Sequence, residues 1–228
     1  MIEENINSVR KVIAEKCLEI GRNPAGITLI AVSKTYSYES VLEARNCGQK
    51  DFGENWSQEL VKKFDVVPKD VVWHFIGHLQ TNKVKYVVPR AGFIHSVDKL
   101  KLAEEIAKSA LKQNKVQNIL LEIKTSEEAT KYGLTSEKEF FEIAKFCSEH
   151  QEINLVGLMT MAPFTDDEKK IRQSFSQLRI LKEKLNKDGF GLTELSMGMT
   201  SDFELALEEG ATMLRIGTAI FGIRNYLR

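Results

Sequence analysis

Eight short apolar runs, rich in β-branched residues, alternate with stretches of helical spacing from residue 27 onward. This alternation limits the chain to a parallel α/β fold. The pattern predicts strands over 27–33, 50–53, 72–76, 93–97, 118–123, 155–159, 194–197 and 213–216. Between them it predicts helices over 38–46, 56–64, 81–87, 100–113, 137–149, 166–186 and 202–208. An amphipathic helix over about 2–20 comes first, with Ile2, Ile6, Val9, Ile13 and Ile20 recurring at helical steps. Eight strand–helix units fit a closed (β/α)8 TIM barrel; an open doubly wound sheet uses the same local pattern, and the strand count favours the barrel. The near-continuous apolar character of the strands agrees with burial on both faces. Ser136 with Glu139, Thr165 with Glu168, and Ser201 with Glu204 read as capping boxes that start three of the helices.

With 228 residues, 43% of them hydrophobic, the chain can bury one substantial core without a disulfide or metal, so a single domain over 1–228 is expected. Lysine plus arginine equals aspartate plus glutamate at 32 each, which removes the basic field that nucleic acid or an anionic membrane would need. Cys17, Cys47 and Cys147 lie far apart with no C-x-x-C pair and read as thiols of a reducing compartment. The N-terminal segment is too charged for a signal peptide and no apolar run reaches membrane-spanning length, so a cytoplasmic protein is expected. His74 and His78 are four apart but bracket a strand end, and no third ligand accompanies them, so no metal site is expected. Trp56 and Trp73 read as rim or core aromatics, and the charge-rich segments 99–115 and 166–187 as solvated helix faces.

In a barrel of this kind chemistry sits where strands end, at the C-terminal face. Strand one ends Ala31-Val32-Ser33-Lys34-Thr35, where a desolvated Lys34 amine would have a lowered pKa and could attack a carbonyl. From that one residue alone, a lysine that merely snorkels at a strand end is the favoured reading, since most lysines are solvated. The loops after strands seven and eight, where such barrels commonly bind phosphate, read Ser196-Met197-Gly198-Met199-Thr200-Ser201 and Arg215-Ile216-Gly217-Thr218. Glycines let backbone N–H groups approach an anion and hydroxyls add donors; ordinary caps and turns are the bland reading, and Asp202 works mildly against a phosphate. Together with an imine-forming lysine, two such loops suit an aldehyde that carries a phosphate.

Six separated stretches resemble the pyridoxal 5'-phosphate (PLP) homeostasis proteins, which share the barrel of alanine racemase. They are Ala31-Val32-Ser33-Lys34-Thr35, Phe52-Gly53-Glu54-Asn55, Trp73 through Gln80, Val156-Gly157-Leu158-Met159-Thr160, Leu195 through Thr200 with Asp202-Phe203, and Arg215-Ile216-Gly217-Thr218 through Gly222. The resemblance spans almost the entire chain. It implies a PLP fold type III-like barrel without the C-terminal β domain of the racemases, and PLP held as a Schiff base on Lys34. It further implies that Ser196, Gly198, Met199, Thr200, Gly217 and Thr218 lie around the phosphate, and that Asn55, His78, Met159 and Arg215 lie near the ring. Lys124 departs from the family pattern, which has asparagine there; it and Lys131 are second amines that could compete for the aldehyde, or simply solvated lysines.

The same site would serve either of two functions: a non-catalytic PLP carrier that hands the cofactor to PLP-dependent apoenzymes, or a PLP-dependent amino-acid racemase-like enzyme in which Lys34 removes an α-proton. The carrier is favoured, because the second base and much of the pocket of a racemase come from an additional domain and a partner subunit. A monomer is the expected state for a barrel without that domain. A cofactor-free lyase using the same lysine would need no pair of phosphate loops.

Overall fold

In the computed structural model, which describes residues 1–126 and 132–222, eight parallel strands close into a barrel in sequential order, β1 pairing with both β2 and β8. The elements are α1 (Ile2–Glu19), β1 (Thr28–Val32), α2 (Tyr38–Asn46), β2 (Asp51–Glu54), α3 (Ser57–Val66), β3 (Val72–Phe75), α4 (Val84–Val87), β4 (Phe93–Val97), α5 (Leu100–Lys112), β5 (Gln117–Glu122), α6 (Glu137–Glu149), β6 (Ile153–Met159), α7 (Glu168–Lys187), β7 (Glu194–Ser196), α8 (Phe203–Glu208), β8 (Met213–Ile216) and α9 (Thr218–Phe221). Every expected strand is present. Among the described residues no helix is long and apolar enough to cross a membrane.

The helices differ from expectation mainly at their starts. Asp167, not Thr165, caps α7: its carboxylate accepts from the N–H groups of Lys169 and Lys170, while Thr165 accepts from Asp167 one turn earlier. Asp202 rather than Ser201 stands at the start of α8, and its side chain turns back to the Met199 N–H. Ser136 does precede α6, although its hydroxyl makes no cap bond. The single helix expected over 81–87 is a 3-10 turn, Thr81–Lys83, running into the one-turn α4. The short α9, unforeseen because its apolar run continues a strand-like pattern, follows β8 and packs against α1.

Two apolar layers hold the barrel. The larger lies between the sheet and the surrounding helices: Phe52 and Trp73, register partners on β2 and β3, pack there with ring centroids 5.9 Å apart, and α5 and α7 contribute Leu102, Ile106, Ile171, Phe175 and Leu178. The smaller fills part of the barrel interior with Ile30, Leu120, Met159 and Met213 from four strands. The remainder of the interior is polar: His74, His95, Ser196 and Arg215 are buried there on β3, β4, β7 and β8. Burying such groups is costly unless each has hydrogen-bond partners, so a polar barrel axis marks where function has displaced packing.

Candidate functional site at the C-terminal rim

Lys34 stands two residues beyond β1. Ala31 is in register with Phe52 on one side and Ile216 on the other, which puts Lys34 between the loop carrying Asn55 and the loop carrying Gly217 and Thr218. Its neighbours in sequence are clamped. The Ser33 hydroxyl donates to Glu54 Oε1 at 2.6 Å, Lys63 Nζ donates to both the Ser33 carbonyl (2.7 Å) and Glu54 Oε1 (2.6 Å), and the Thr35 N–H donates to Glu59 Oε2 at 2.8 Å. Lys63 also lies 3.5 Å from Glu59, so one ammonium ties both anchors together. Thr35 takes a left-handed φ of 69°, which costs a β-branched residue energy that the clamp must offset. Burial pushes the Glu54 carboxyl up to about 7, outweighing Lys63 and Ser33, which pull it down.

Arg215 occupies the barrel axis below this rim. Its guanidinium donates to Ser196 Oγ at 2.7 Å and to the Thr160 carbonyl at 2.9 Å. Among the described residues no carboxylate lies within ion-pair distance of it. Burial lowers its pKa to about 10, opposed by the more distant Asp202 and Glu122, so it is cationic at neutral pH. Glu122, at the end of β5, is pushed up to about 7 by burial and then by the neighbouring Asp98, with Arg215 opposing. Met159, expected near a ring, is a fully buried member of the interior apolar cluster and forms part of the floor.

The loop after β7 is shaped by Gly198, whose φ is 93°; a Cβ there would lie 2.7 Å from the Ala206 Cβ. Any L-residue would be strained, so the loop needs glycine to lie flat on α8. The Met199 N–H is already taken by Asp202 Oδ1 at 2.6 Å, whereas the N–H groups of Thr200 and Ser201 have no partner among the described residues. Thr200 and Thr218 are exposed, while Gly217, which precedes α9, is buried.

On the opposite side of Lys34, Asn55 and His78 border a cavity of about 360 Å³ that Trp56, Lys83 and Tyr132 also line. Gly77 lets the two loops meet: a Cβ there would lie 2.3 Å from the Asn55 carbonyl oxygen. The His78 ring stacks on Tyr132 with centroids 4.0 Å apart and its Nδ1 lies 3.6 Å from Asp98. Asn55 Oδ1 is buried without a hydrogen-bond partner among the described residues. Lys124 borders a narrow cleft with Glu122 and Tyr132; Lys131 lies outside the described residues. A larger concavity, about 930 Å³, opens on the outer side of Met199–Ser201 toward Phe164 and Arg172.

The expected residues therefore gather on one rim, with Met159 and Ser196 beneath it. Sequence reasoning missed His95, Asp98, Glu122 and Tyr132. For His95 and Glu122 a signal existed: each is an ionisable residue next to buried apolar residues of its strand, His95 after Ile94 and Glu122 after Leu120-Leu121. His74 and His78 do not act together, since His74 points into the barrel toward His95 and His78 lies at the mouth.

Residues 2–225 match the family model described as "Alanine racemase, N-terminal domain". The pyridoxal phosphate homeostasis protein of Aquifex aeolicus (strain VF5) is 43% identical over 227 residues, covering 98% of each chain. The structure of PipY from Synechococcus elongatus PCC7942 with PLP bound is 34% identical, with a TM-score of 0.85 over 97% of this chain and 100% of that one. Alanine racemase from Corynebacterium glutamicum shares the fold at a TM-score of 0.74 and 14% identity, the match covering 98% of this chain and 61% of the racemase. A barrel whose rim gathers a clamped lysine, a buried arginine and a glycine loop, matched over its full length by these relatives, belongs to the alanine racemase N-terminal domain family and, within it, to the pyridoxal phosphate homeostasis proteins.

Proposed function

We propose that this chain is a single-domain PLP-binding protein of PLP homeostasis, with Lys34 as the covalent anchor for the cofactor's aldehyde. One observation carries the reading. An amine on a clamped strand end, a buried guanidinium and a glycine loop lie at or just beneath the same rim, and among the described residues the guanidinium has no carboxylate at ion-pair distance and two N–H groups of the loop have no partner. That donor set fits an anionic phosphate and an aldehyde on one small molecule. The PLP-bound PipY structure, similar over almost the whole chain, supports it.

Gly198, Thr200, Gly217 and Thr218 are the residues proposed to hold the phosphate through backbone N–H and hydroxyl donors, with Met199, whose own N–H is engaged by Asp202, alongside them and Ser196 beneath. Asn55, His78 and Arg215 are proposed to border the ring over the Met159 floor. When bound, the cofactor supplies a carbonyl carbon that condenses with an amine and a ring that withdraws electrons. Arg215, cationic and donor only, favours an unprotonated ring nitrogen and so weakens that withdrawal. This supports a carrier that holds and delivers PLP to apoenzymes without turnover, working as a monomer in a reducing cytoplasm where Cys17, Cys47 and Cys147 stay free.

The test is retention of visible absorbance after incubation with PLP and desalting, wild type beside Lys34→Ala, with circular dichroism to verify the fold. The wild type is expected to keep the chromophore and the variant to lose it. A folded wild-type protein that keeps none overturns the reading.

A further inference from the structure

A hydrogen-bonded line runs through the barrel axis from the candidate site toward the opposite end. Arg215 Nη1 donates to Ser196 Oγ at 2.7 Å; Ser196 Oγ and His95 Nδ1 are 2.9 Å apart, His95 Nε2 and His74 Nδ1 2.9 Å, and His74 Nε2 and Asp51 Oδ1 3.0 Å. Ser196, His95 and His74 are fully buried, and Asp51, the first residue of β2, reaches solvent at the N-terminal rim.

With one hydrogen on each ring, the chemistry of the two ends fixes every hydrogen between them. A carboxylate only accepts and a guanidinium only donates. His74 must therefore carry its hydrogen on Nε2, toward Asp51. With that one hydrogen on its ring, His74 accepts at Nδ1, so His95 donates from Nε2 and accepts at Nδ1, and the acceptor at His95 Nδ1 takes the single hydrogen of the Ser196 hydroxyl. The reverse arrangement would set an unprotonated His74 Nε2 against the carboxylate. Burial above all, with the cationic Arg215 adding to it, holds His95 well below the ordinary imidazole range, so that ring is neutral.

We infer that Asp51, acting through His74 and His95, sets the direction of the Ser196 hydroxyl and thereby leaves Arg215 as the donor that faces the ligand. Ser196, with its hydrogen directed inward, is a positioning residue for Arg215 rather than a donor to phosphate, and His95, His74 and Asp51 are positioning residues behind it. The ligand in this statement rests on the PLP reading; the direction of the line does not.

The experiment is long-range ¹H–¹⁵N correlation on ligand-free protein labelled at histidine. Wild type is expected to show both His74 and His95 with the hydrogen on Nε2. Asp51→Asn offers His74 either a donor or an acceptor, so His95 should become a mixture of tautomers. Ser196→Ala leaves the carboxylate in command and should keep both rings on Nε2. An Nδ1-protonated His95 in wild type, an unchanged His95 in Asp51→Asn, or scrambling by Ser196→Ala in place of Asp51→Asn overturns the proposal. In the PLP-loaded protein, Asp51→Asn is expected to speed cofactor loss on desalting by roughly tenfold, the scale of one weakened buried hydrogen bond; a rate equal to wild type also overturns it. If wild type retains no PLP, the cofactor reading fails while the tautomer result stands on its own.

Discussion

Lys63 Nζ lies 2.6 Å from Glu54 Oε1 with both side chains almost completely buried, and the same ammonium holds the carbonyl of Ser33, the residue before Lys34. A charge pair removed from water is retained here beside Lys34, the proposed PLP anchor. Breaking a buried pair on one side leaves the other charge uncompensated and costs about 3–5 kcal/mol. Lys63→Met is therefore expected to lower the urea unfolding free energy by that order. Adding Glu54→Gln should recover much of it, because the amide needs no counter-charge. The single variant should also loosen PLP, since Ser33 and Thr35 lose their common anchor. A Lys63→Met protein as stable as wild type would show that the clamp contributes nothing.

Glu122 makes stability depend on pH. Its folded pKa of about 7 stands above the ordinary 4.5, so between those values the native state binds more proton than the unfolded chain. Stability then falls as pH rises through this window, and the penalty is fully present above the folded value. Glu122→Gln is expected to change little at pH about 5 and to stabilise by on the order of 2 kcal/mol at pH about 8. Urea titrations at the two pH values measure this, and parallel shifts at both would contradict the assignment.

Gly198→Ala places a Cβ 2.7 Å from the Ala206 Cβ at a φ of 93°. The strain of that backbone region is about 1–3 kcal/mol, and the loop must also lift from α8. Loss of PLP retention larger than the loss of stability is expected, because the displaced N–H groups are the proposed phosphate donors. Desalting and urea unfolding of the same sample separate the two effects.

Helix α1 reaches the site indirectly. Ile6 is fully buried on it and Asn5 Nδ2 donates to the Ile220 carbonyl at 2.9 Å, tying α1 to α9 just beyond Gly217 and Thr218. Ile6→Ala is expected to cost about 2–4 kcal/mol. Faster hydrogen exchange at residues 217–220 than in β4 would show that the loosening is directed at this loop, and uniform acceleration would show that it is not.

The strands were legible because each is a short apolar run whose period is set locally, and all eight appear within one or two residues of their expected limits. Helix starts were less legible. Asp167 took the role expected of Thr165 because two acceptors lay within one turn, and only the path of the entering chain decides which reaches the free N–H groups. Lys34, Gly198 and Gly217 could be singled out because they follow apolar strands at the rim where such barrels do chemistry, and Arg215 because it is a charge within the last strand. The clamp of Glu54, Glu59 and Lys63, with Lys63 on a helix, carries no such mark.

By itself the sequence determined the eight strand–helix units and the candidate rim loops, which rest on local pattern and residue type, and the family, which rests on the resemblance of six motifs. Only the tertiary structure decided that β1 meets β8, that Met159 is floor, and that Asp51, His74, His95, Ser196 and Arg215, drawn from five strands, form one line. The physical reason is barrel closure: side chains far apart in sequence share the axis only once the sheet has curled on itself, and their hydrogen-bond directions depend on partners that no local pattern specifies.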